Sequence, residues 1–174
     1  MKIVTLSGSL RAGSINSALL QALASLAPPG MTVVATNIGL LPLFNPDLEA
    51  ALPTAVVRFH AEISAADALV IASPEYAHGV SGVIKNALDW LVGLEAFAGT
   101  PVAVLNAAPR ASHADNALRE TLVTMAAVIV SGRSIMVPLA GSQDQVRDLL
   151  DSEDISKIIG DVLAATTAAV TTRG

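Results

Sequence analysis

The sequence predicts an α/β protein in which helices cover both faces of a parallel β-sheet. Short apolar or β-branched runs alternate five times with longer segments of helical period, which is the pattern of consecutive βα units. Hydrophobic residues make up 52% of the 174 residues and charged residues only 14%, so the chain can bury both faces of a sheet. Three of the predicted strands are followed by clusters of small and polar residues, as expected where loops at one edge of a sheet form a site.

The first two strands and the helix between them are clearly delimited. Residues 2–6 predict a buried strand, and the amphipathic helix that follows stops before Pro28-Pro29-Gly30. Residues 32–37 predict the second strand. The loop GLLPLFNPDLEAALP comes next, and its three prolines exclude regular structure throughout. The apolar stripe of the first helix consists of Ile15, Ala18, Leu19, Ala22, Leu23 and Leu26.

The remaining units follow in the same order. Residues 68–72, 101–106 and 134–137 predict the third, fourth and fifth strands, and Ser152 is expected to cap the last helix. Right-handed crossovers would join all five units in one domain, residues 1–174. The helices are predicted from apolar stripes at Val56, Phe59, His60 and Ile63; at Ile84, Ala87, Leu88 and Leu91; at Leu118, Leu122, Met125 and Ala126; and at Ile155, Ile158, Ile159, Val162 and Leu163.

Composition argues against several classes of function. The net charge is −5 and the basic residues are scattered, so no basic face for nucleic acid is expected. The chain has no cysteine, and His60, His78 and His113 are isolated in the sequence, which argues against a metal site. The apolar runs are shorter than the ~20 residues of a membrane span, and the N-terminus has no signal-peptide core. We therefore expect a cytoplasmic protein whose redox chemistry, if any, comes from an organic cofactor.

The most informative residues come directly after the strands. SGSLRAGSIN follows the first predicted strand, SPEYAHG the third and NAAPRASHADN the fourth. Ligands of open α/β sheets bind outside the carboxyl ends of the strands. The three loops therefore predict one composite site.

The first loop is suited to an anion, and two nucleotide-binding templates fail to match it. The phosphate loop G-x-x-x-x-G-K-[ST] fails because Ser14-Ile15 stand where Lys and Ser or Thr are needed. The dinucleotide fingerprint G-x-G-x-x-G fails because Leu10 replaces its middle glycine. In addition, the second strand ends in Thr36-Asn37, without the acidic residue that would bind a ribose.

A phosphate monoester held at a helix N-terminus is the third template. Backbone N–H groups and the helix dipole favour an anion there, and Arg11 would add a positive charge. The alternative is that Ser14 or Asn16 only caps the helix and the glycines only form the turn. Hydroxyls, backbone N–H groups and an arginine at a helix N-terminus are the donors that the phosphate of flavin mononucleotide (FMN) needs. The hydroxyl donors of the cluster are those of Ser7, Ser9, Ser14 and Ser17.

Four motifs resemble those of one protein family. They are GSLRAGSIN (8–16), LPLFNPDLE (41–49), SPEYAHGVSGVIKNALDWL (73–91) and, more weakly, APRASHADNALRE (108–120). In order and spacing they are similar to the NADPH-dependent FMN reductases, a branch of the flavodoxin-like fold, over about residues 2–140. The resemblance implies a three-layer α/β/α sandwich with a five-stranded parallel sheet in the order 2-1-3-4-5.

The same resemblance implies that FMN is the cofactor and that NADPH or NADH is the co-substrate. Arg110 would lie near the pyrimidine edge of the flavin and stabilise its reduced form. The implied contacts are Ser9, Arg11, Ser14, Ile15 and Asn16 for the phosphate; Pro74, Glu75, Tyr76, Ala77 and Gly79 for the ribityl chain and ring; and Ala108, Pro109 and Arg110 for the pyrimidine edge.

The implied reaction is hydride transfer from NAD(P)H to the flavin and then to an acceptor at the same face, with ping-pong kinetics. The acceptor would be free flavin, a quinone, an azo compound or a metal oxyanion. Two alternatives stay open: a flavodoxin-type electron carrier, against which the 3% aromatic content argues, and a flavin-binding domain without turnover. The chain departs from the family at Ala77, where Asn is frequent, and at Ser81, where proline is usual.

Other side chains near the motifs carry simpler expectations. Glu75 is expected to bond backbone or ribityl groups rather than to transfer protons. His60 predicts a partly buried structural histidine, whereas His78 and His113 are expected near the pocket. Trp90 lies off the apolar stripe of the third helix and gives that helix a second apolar face. We expect this face to meet another subunit in a homodimer or homotetramer, the alternative being a cover by the chain's own loops.

Overall fold

Strands and helices alternate along most of the chain, as the hydrophobic pattern predicts. The structure, a computed structural model, describes residues 1–107, 112–130, 135–136 and 145–173. The strands within these ranges are β1 (Lys2–Ser7), β2 (Thr32–Thr36), β3 (Ala68–Ala72), β4 (Glu75–Tyr76), β5 (Gly79–Val80), β6 (Pro101–Asn106), β7 (Val128–Ile129) and β8 (Ile135–Met136). The helices are α1 (Ile15–Ser25), α2 (Thr54–Ser64), α3 (Gly82–Leu91), α4 (Ser112–Thr124), α5 (Gln145–Asp151) and α6 (Glu153–Arg173).

The main sheet is parallel and has the predicted strand order. Its strands lie in the order β2-β1-β3-β6-β7, which corresponds to 2-1-3-4-5 in the predicted numbering. In the register of β1 with its two neighbours, Val4 stands beside Val34 and Leu69. Every residue of β3 and β6 is buried, because helices cover both faces at the centre of the sheet.

Alternate residues of the sheet contribute to two hydrophobic cores. On one face, Leu69 and Ile71 pack with residues of α2, α3 and α4. On the other face, Ala68, Val70 and Ala72 pack with residues of α1, α5 and α6. Successive strand residues point to opposite faces, so the sheet is the middle layer of an α/β/α sandwich, as predicted.

The fifth strand position differs from the prediction. The sequence predicts one strand over residues 134–137, whereas β7 pairs with the first residues of β6 and β8 with the last; residues 134 and 137 lie outside the described part of the chain. Met125 and Ala126, predicted as helix, come after the end of α4. Ala126 adopts a left-handed φ of 60°, with which a right-handed helix cannot continue.

The C-terminal helix is capped as predicted but is preceded by a helix that the sequence did not reveal. The N–H of Ile155 donates to Oγ of Ser152 at 3.4 Å. Helix α5 lies just before this cap and buries Leu149 in the core on the α1 side of the sheet.

Residues 41–45, here called the proline segment, are held against α3 by two side chains. Asn86 accepts a hydrogen bond from the Phe44 N–H at 2.7 Å and donates Nδ2 to the Pro42 carbonyl at 3.0 Å. Trp90 donates Nε1 to the same carbonyl at 2.8 Å, and its ring meets that of Phe44 edge to face at 5.0 Å. Three hydrogen bonds therefore fix a segment that has no regular structure of its own.

The same contacts correct the expectation for Trp90. Its side chain is only 2% exposed, because the proline segment covers the second apolar face of α3. The carbonyl of Trp90 in turn contacts Nε2 of His60 at 2.7 Å, which agrees with a partly buried structural role for this histidine. A cover by the chain's own loop, the alternative considered above, is what the structure contains.

The loop after β3 folds into a tight hairpin that the sequence pattern did not predict. Glu75 pairs with Val80 and Tyr76 with Gly79, so only Ala77 and His78 form the turn. Their φ angles are 49° and 62°, as in a type I′ turn, which favours Asn and Gly because L side chains are strained there. Ala77 therefore occupies a position for which the Asn frequent in the resembling family is better suited.

Replacing Ala77 by Asn is expected to stabilise the protein. Asn tolerates the left-handed conformation better than Ala, so we expect the free energy of unfolding in urea to rise by about 1 kcal/mol. Ala77→Val is the opposing control, because a β-branched side chain at this φ should lower the free energy of unfolding. Equal stabilities for the Asn and Val variants would contradict the strained turn.

Replacing Asn86 by Ala is expected to destabilise the protein by about 1–3 kcal/mol, because the Phe44 N–H loses its acceptor in a half-buried place. Urea unfolding of the two proteins measures this difference. Lys85→Ala is a matched control on the same helix: its partner is the neighbouring Asp89, and an exposed ion pair contributes only about 0.3–0.5 kcal/mol. A loss no larger for Asn86→Ala than for Lys85→Ala would show that the proline segment does not depend on this side chain.

Candidate functional site

The loops after β1 and β3 touch at the carboxyl edge of the sheet. The Gly8 N–H donates to the Ala72 carbonyl at 2.7 Å, which extends the pairing of β1 with β3 by one residue. A Cβ on Gly8 would lie 2.5 Å from Oγ and 2.9 Å from Cα of Ser73. Only glycine allows this approach, so Gly8 brings together two of the three polar loops predicted to form one site.

Residues 7–17, here called the α1 cradle, surround the N-terminus of the first helix with hydroxyl groups. Ser14 is the N-cap and accepts from the Ser17 N–H at 3.4 Å. The hydroxyls of Ser7 and Ser17 lie 2.8 Å apart, and Oγ of Ser9 accepts from the Arg11 N–H at 3.4 Å. Ser14 thus has the capping role considered as the simpler alternative, and the cap orients the start of α1 toward the loop.

Asn16 leaves an unsatisfied acceptor inside the cradle. Its side chain is 5% exposed, and its Oδ1 is buried without a hydrogen-bond partner. A buried acceptor without a partner is costly and indicates a missing donor. Arg11 is exposed nearby, and Ile15 is half-buried in the first turn.

The chemistry of the cradle fits a phosphate monoester that carries a hydroxylated chain. The first N–H groups of α1 have no acceptor within the helix and attract an anion, and Arg11 adds a charge that can bind two phosphate oxygens. A ligand hydroxyl would supply the donor that Oδ1 of Asn16 lacks. The five residues predicted for the phosphate are therefore brought together at one helix end.

Glu75 connects the hairpin to α4, the helix that begins within the third polar loop. Its Oε2 accepts from the Ala114 N–H at 2.9 Å, and its Oε1 lies 3.0 Å from Nδ1 of His78. The ring of His78 stacks edge to face on that of His113, with ring centroids 4.5 Å apart. The hydrogen bond from Ala114 and the nearby His78 lower the pKa of Glu75 despite the opposing effect of desolvation. Glu75 is therefore a carboxylate at neutral pH, and it bonds a backbone N–H as the sequence analysis expects.

The other residues predicted around the ring lie on the same hairpin or just before it. Pro74 and Gly79 are half-buried, Ala77 is exposed, and the Tyr76 side chain is 60% exposed. Ala108, Pro109 and Arg110 lie outside the described residues.

Ser81, where the family usually has proline, keeps a proline-like φ of −58° at the start of α3. Its hydroxyl accepts a hydrogen bond from Oγ of Ser73 at 3.4 Å.

A cavity of about 520 Å³, here called the hairpin cavity, opens beside the hairpin. Its size is in the range of ~300–1,000 Å³ typical of small-molecule sites. Sequence reasoning gave no role to the residues that shape it outside the cradle and hairpin. For Leu41, Leu43 and Asn86 the available signal was their place in the LPLFNPDLE and SPEYAHGVSGVIKNALDWL motifs. Its walls include Leu10, Arg11, Leu41, Leu43, Tyr76 and Asn86.

Asp115 is a second residue that sequence reasoning missed. It pairs with Arg119 at 3.0 Å through Oδ2, while its Oδ1 is buried without a partner. Together with Ser73 and Asn106 it lines a narrow gap between β6 and α4. The i,i+4 spacing of an acidic and a basic residue in the first turns of a helix was the available signal.

No helix in the described part of the chain has the length and apolar character needed to cross a membrane. Within the same residues, no group of three His, Cys, Asp or Glu side chains is arranged to hold a metal ion.

Comparisons with known proteins match most of the chain to one family. Residues 1–141 match the family described as NADPH-dependent FMN reductase. An NAD(P)H-dependent FMN reductase of Pseudomonas aeruginosa is 38% identical over 168 residues, which cover 88% of this chain and 91% of the relative. A quinone reductase of Escherichia coli K12 is 31% identical over 174 residues and covers 94% of this chain and 93% of the relative.

A solved structure shows the same fold over nearly the whole length. The flavoenzyme NAD(P)H:(acceptor) oxidoreductase of Paracoccus denitrificans superposes with a TM-score of 0.85 at 28% identity, covering 98% of this chain and 97% of that one. These matches confirm the predicted resemblance and, with it, an oxidoreductase that uses FMN and NAD(P)H. The chain belongs to the NADPH-dependent FMN reductase family.

Proposed function

We propose that the protein passes electrons from NAD(P)H through FMN to quinones, with free flavin, azo compounds and metal oxyanions as further acceptors. The observation that carries this proposal is the α1 cradle, with the unsatisfied Oδ1 of Asn16, next to the hairpin cavity. The bound flavin supplies the hydride chemistry, and the protein supplies binding, orientation and charge. Relatives from Escherichia coli and Pseudomonas putida are named quinone reductases, which supports a quinone as acceptor.

The cradle and the hairpin would hold opposite ends of FMN. Ser9, Arg11, Ser14, Ile15 and Asn16 would bind the phosphate through hydroxyl, amide and guanidinium donors. Support comes from their grouping at the N-terminus of α1, where the dipole favours an anion.

The flavin ring would lie against the hairpin, residues 74–79. Glu75 would hold the hairpin at a constant distance from α4 through the Ala114 N–H, so that backbone groups meet the ring in a fixed arrangement. Arg110 would stabilise the reduced flavin, and Ala108 and Pro109 would approach its pyrimidine edge.

The hairpin cavity would receive the acceptor. Leu10, Leu41 and Leu43 give it apolar walls, while Arg11 and Asn86 provide polar groups at the same cavity. A flat, largely apolar ring with polar oxygens at its edge suits such a lining. Because Asn86 also anchors the proline segment, it would fix the position of the wall formed by Leu41 and Leu43.

Association with a second copy would cover the apolar rim of this cavity. Leu10, Leu40, Leu43 and Tyr76 are 61%, 72%, 83% and 60% exposed, and exposed apolar groups clustered around a cavity are typical of interaction sites. We therefore propose a homodimer or homotetramer of one-domain chains, residues 1–174. The cytoplasm, where NADPH and NADH are produced, is the proposed compartment.

A titration of the apo-protein with FMN, followed by flavin fluorescence, tests the phosphate site. We expect saturable quenching with one FMN per chain, and Arg11→Ala should raise the dissociation constant at least about tenfold because a charge-assisted contact is lost. Riboflavin, which has no phosphate, should bind both proteins equally.

Arg58→Ala is the matched control, because Arg58 is exposed on α2, whose core lies on the sheet face opposite to that of α1. It should leave FMN affinity unchanged. A failure to bind FMN, or an equal effect of Arg11→Ala on riboflavin and FMN, would overturn the proposed cradle.

Acidification tests the role of Glu75. Its pKa is lowered in the folded protein, so its stabilising contribution is present above its unfolded pKa of about 4.3 and is lost as the pH falls through the lower folded value. Urea unfolding between pH 7 and pH 3 should therefore show the stability advantage of the wild type over Glu75→Gln shrinking below about pH 4.3. Glu95→Gln is the control at another site, and a pH-independent difference for Glu75→Gln would contradict the bridge to α4.

A further inference from the structure

We propose that the flavin site is longer than FMN requires and also accepts flavin adenine dinucleotide (FAD), whose adenosine monophosphate half lies in a second cavity. This inference rests on the proposed function, because it takes the α1 cradle as the seat of the flavin phosphate. The cavity, here called the α1–β2 groove, lies between helix α1 and the edge strand β2 and has a volume of about 450 Å³. That volume is within the range of ~300–1,000 Å³ for small-molecule sites.

The groove begins at the α1 cradle. Ser9 and Arg11, two of the residues proposed to bind the flavin phosphate, line both the groove and the hairpin cavity. The cradle therefore borders two cavities. The flavin ring would extend from the phosphate toward the hairpin, which leaves the groove to whatever is attached to the phosphate on its other side. In FAD this is a second phosphate and an adenosine, so FAD is the flavin that uses both cavities.

Two hydroxyl groups of the cradle are suited to the second phosphate. Ser7 and Ser17 line the groove but not the hairpin cavity, and neither is assigned to the FMN phosphate. Their Oγ atoms lie 2.8 Å apart, and either can be the donor. Because hydroxyl protons rotate to suit their partners, the Ser17 proton is available to a phosphate oxygen whenever Ser7 is the donor of this pair.

The charge of the lining favours a diphosphate at the mouth of the groove. Arg11 is the one charged side chain among the described residues that line it, so no carboxylate among them opposes an anion. The guanidinium has five N–H donors in a planar fork and can bind oxygens of two adjacent phosphates. Thr36, at the end of β2, donates its hydroxyl at 2.6 Å to Glu62, but Glu62 belongs to α2, whose core lies on the opposite face of the sheet.

Small side chains on facing elements leave space for the nucleoside. Ser17, Gln21 and Ala24 lie at i, i+4 and i+7 on one side of α1. Across the groove, Val33 and Ala35 of β2 point to the same face of the sheet. Because these side chains do not fill the space, Val33 is only half-buried and Ala35 is exposed. From Ser17 to Ala24 the helix rises by ~10 Å, which gives the groove the length of a nucleoside.

The polar groups of the groove suit an adenine base and a ribose. The small apolar side chains provide flat walls for the base, and the exposed amide of Gln21 carries both a donor and an acceptor for its ring nitrogens and amino group. Nearer the cradle, Oδ1 of Asn37 accepts from the Gly39 N–H at 3.1 Å. This bond fixes the amide and leaves Nδ2 as the group that donates to a ribose hydroxyl.

The lining therefore changes along the groove in the order that the adenosine monophosphate half of FAD requires. Hydroxyls and Arg11 stand at the cradle, the Asn37 amide follows, and the apolar walls with Gln21 at their rim come last. FMN has no group that reaches beyond the cradle on this side.

Calorimetric titration of the apo-protein with FAD and with FMN tests the groove without turnover. We expect one FAD to bind per chain, at least as tightly as FMN, because the adenosine half gains contacts in the groove that FMN does not make. A site that ends at the cradle would instead bind FAD more weakly than FMN, since the second phosphate and the adenosine would have no place.

Ala24→Phe and Ala35→Phe test the same groove by filling it from the helix side and from the strand side. Each phenyl ring would take the space of the base, so each variant should bind FAD at least about tenfold more weakly than the wild type does. FMN affinity should stay unchanged, which also shows that the variants are folded. Ser25→Phe is the matched control and should change neither affinity, because Ser25 is exposed on α1 but does not line the groove.

The outcomes separate this inference from the proposed function. If FMN binds and FAD binds more weakly, or if neither filling variant weakens FAD, the groove is overturned while the proposed function stands. Conversely, the expected binding pattern in a protein that oxidises neither NADPH nor NADH supports the groove and overturns the proposed function. A wild type that binds neither flavin overturns both.

Discussion

The candidate site depends on the close approach of two neighbouring strand ends. The hydrogen bond from Gly8 to Ala72 brings the end of β1 against the loop after β3, and any side chain at position 8 would collide with Ser73. Because the strands are parallel, all their loops emerge at one edge of the sheet, but without this contact the loops would stay apart. The loop before α1 and the hairpin consequently contribute residues to one cavity, Ser9 and Arg11 from the first and Tyr76 from the second.

Polar side chains of α3 and of the hairpin hold the segments that surround this contact. Asn86 and Trp90 bind the backbone of the proline segment, and Glu75 binds the backbone at the start of α4. Irregular segments cannot satisfy their own N–H and C=O groups, so side chains of neighbouring elements must do so. Each of these side chains thus satisfies a backbone group and also positions a neighbouring segment. This explains why the motif SPEYAHGVSGVIKNALDWL combines apolar residues with a few polar ones.

The hairpin combines strain with firm attachment. Ala77 and His78 both have positive φ angles, and such conformations persist only where the surrounding structure fixes them. The pairing of Glu75 with Val80 and the bond from Glu75 to Ala114 provide that constraint. Strain of this kind is common at ligand sites, where the backbone itself must present its polar groups to the ligand.

The pattern of hydrophobic residues along the chain was enough to predict the layered fold. Parallel strands that are buried on both faces appear in the sequence as continuous apolar runs, such as residues 68–72 and 101–106. The cluster of hydroxyls, glycines and Arg11 likewise predicted an anion site from sequence alone, because these donors are local to one turn. Only the tertiary structure decided what depends on contacts distant in sequence. The cover of Trp90 by Pro42 and the bond of Glu75 to Ala114 are set by where loops from different strands come to lie, and short-range periodicity carries no information about that.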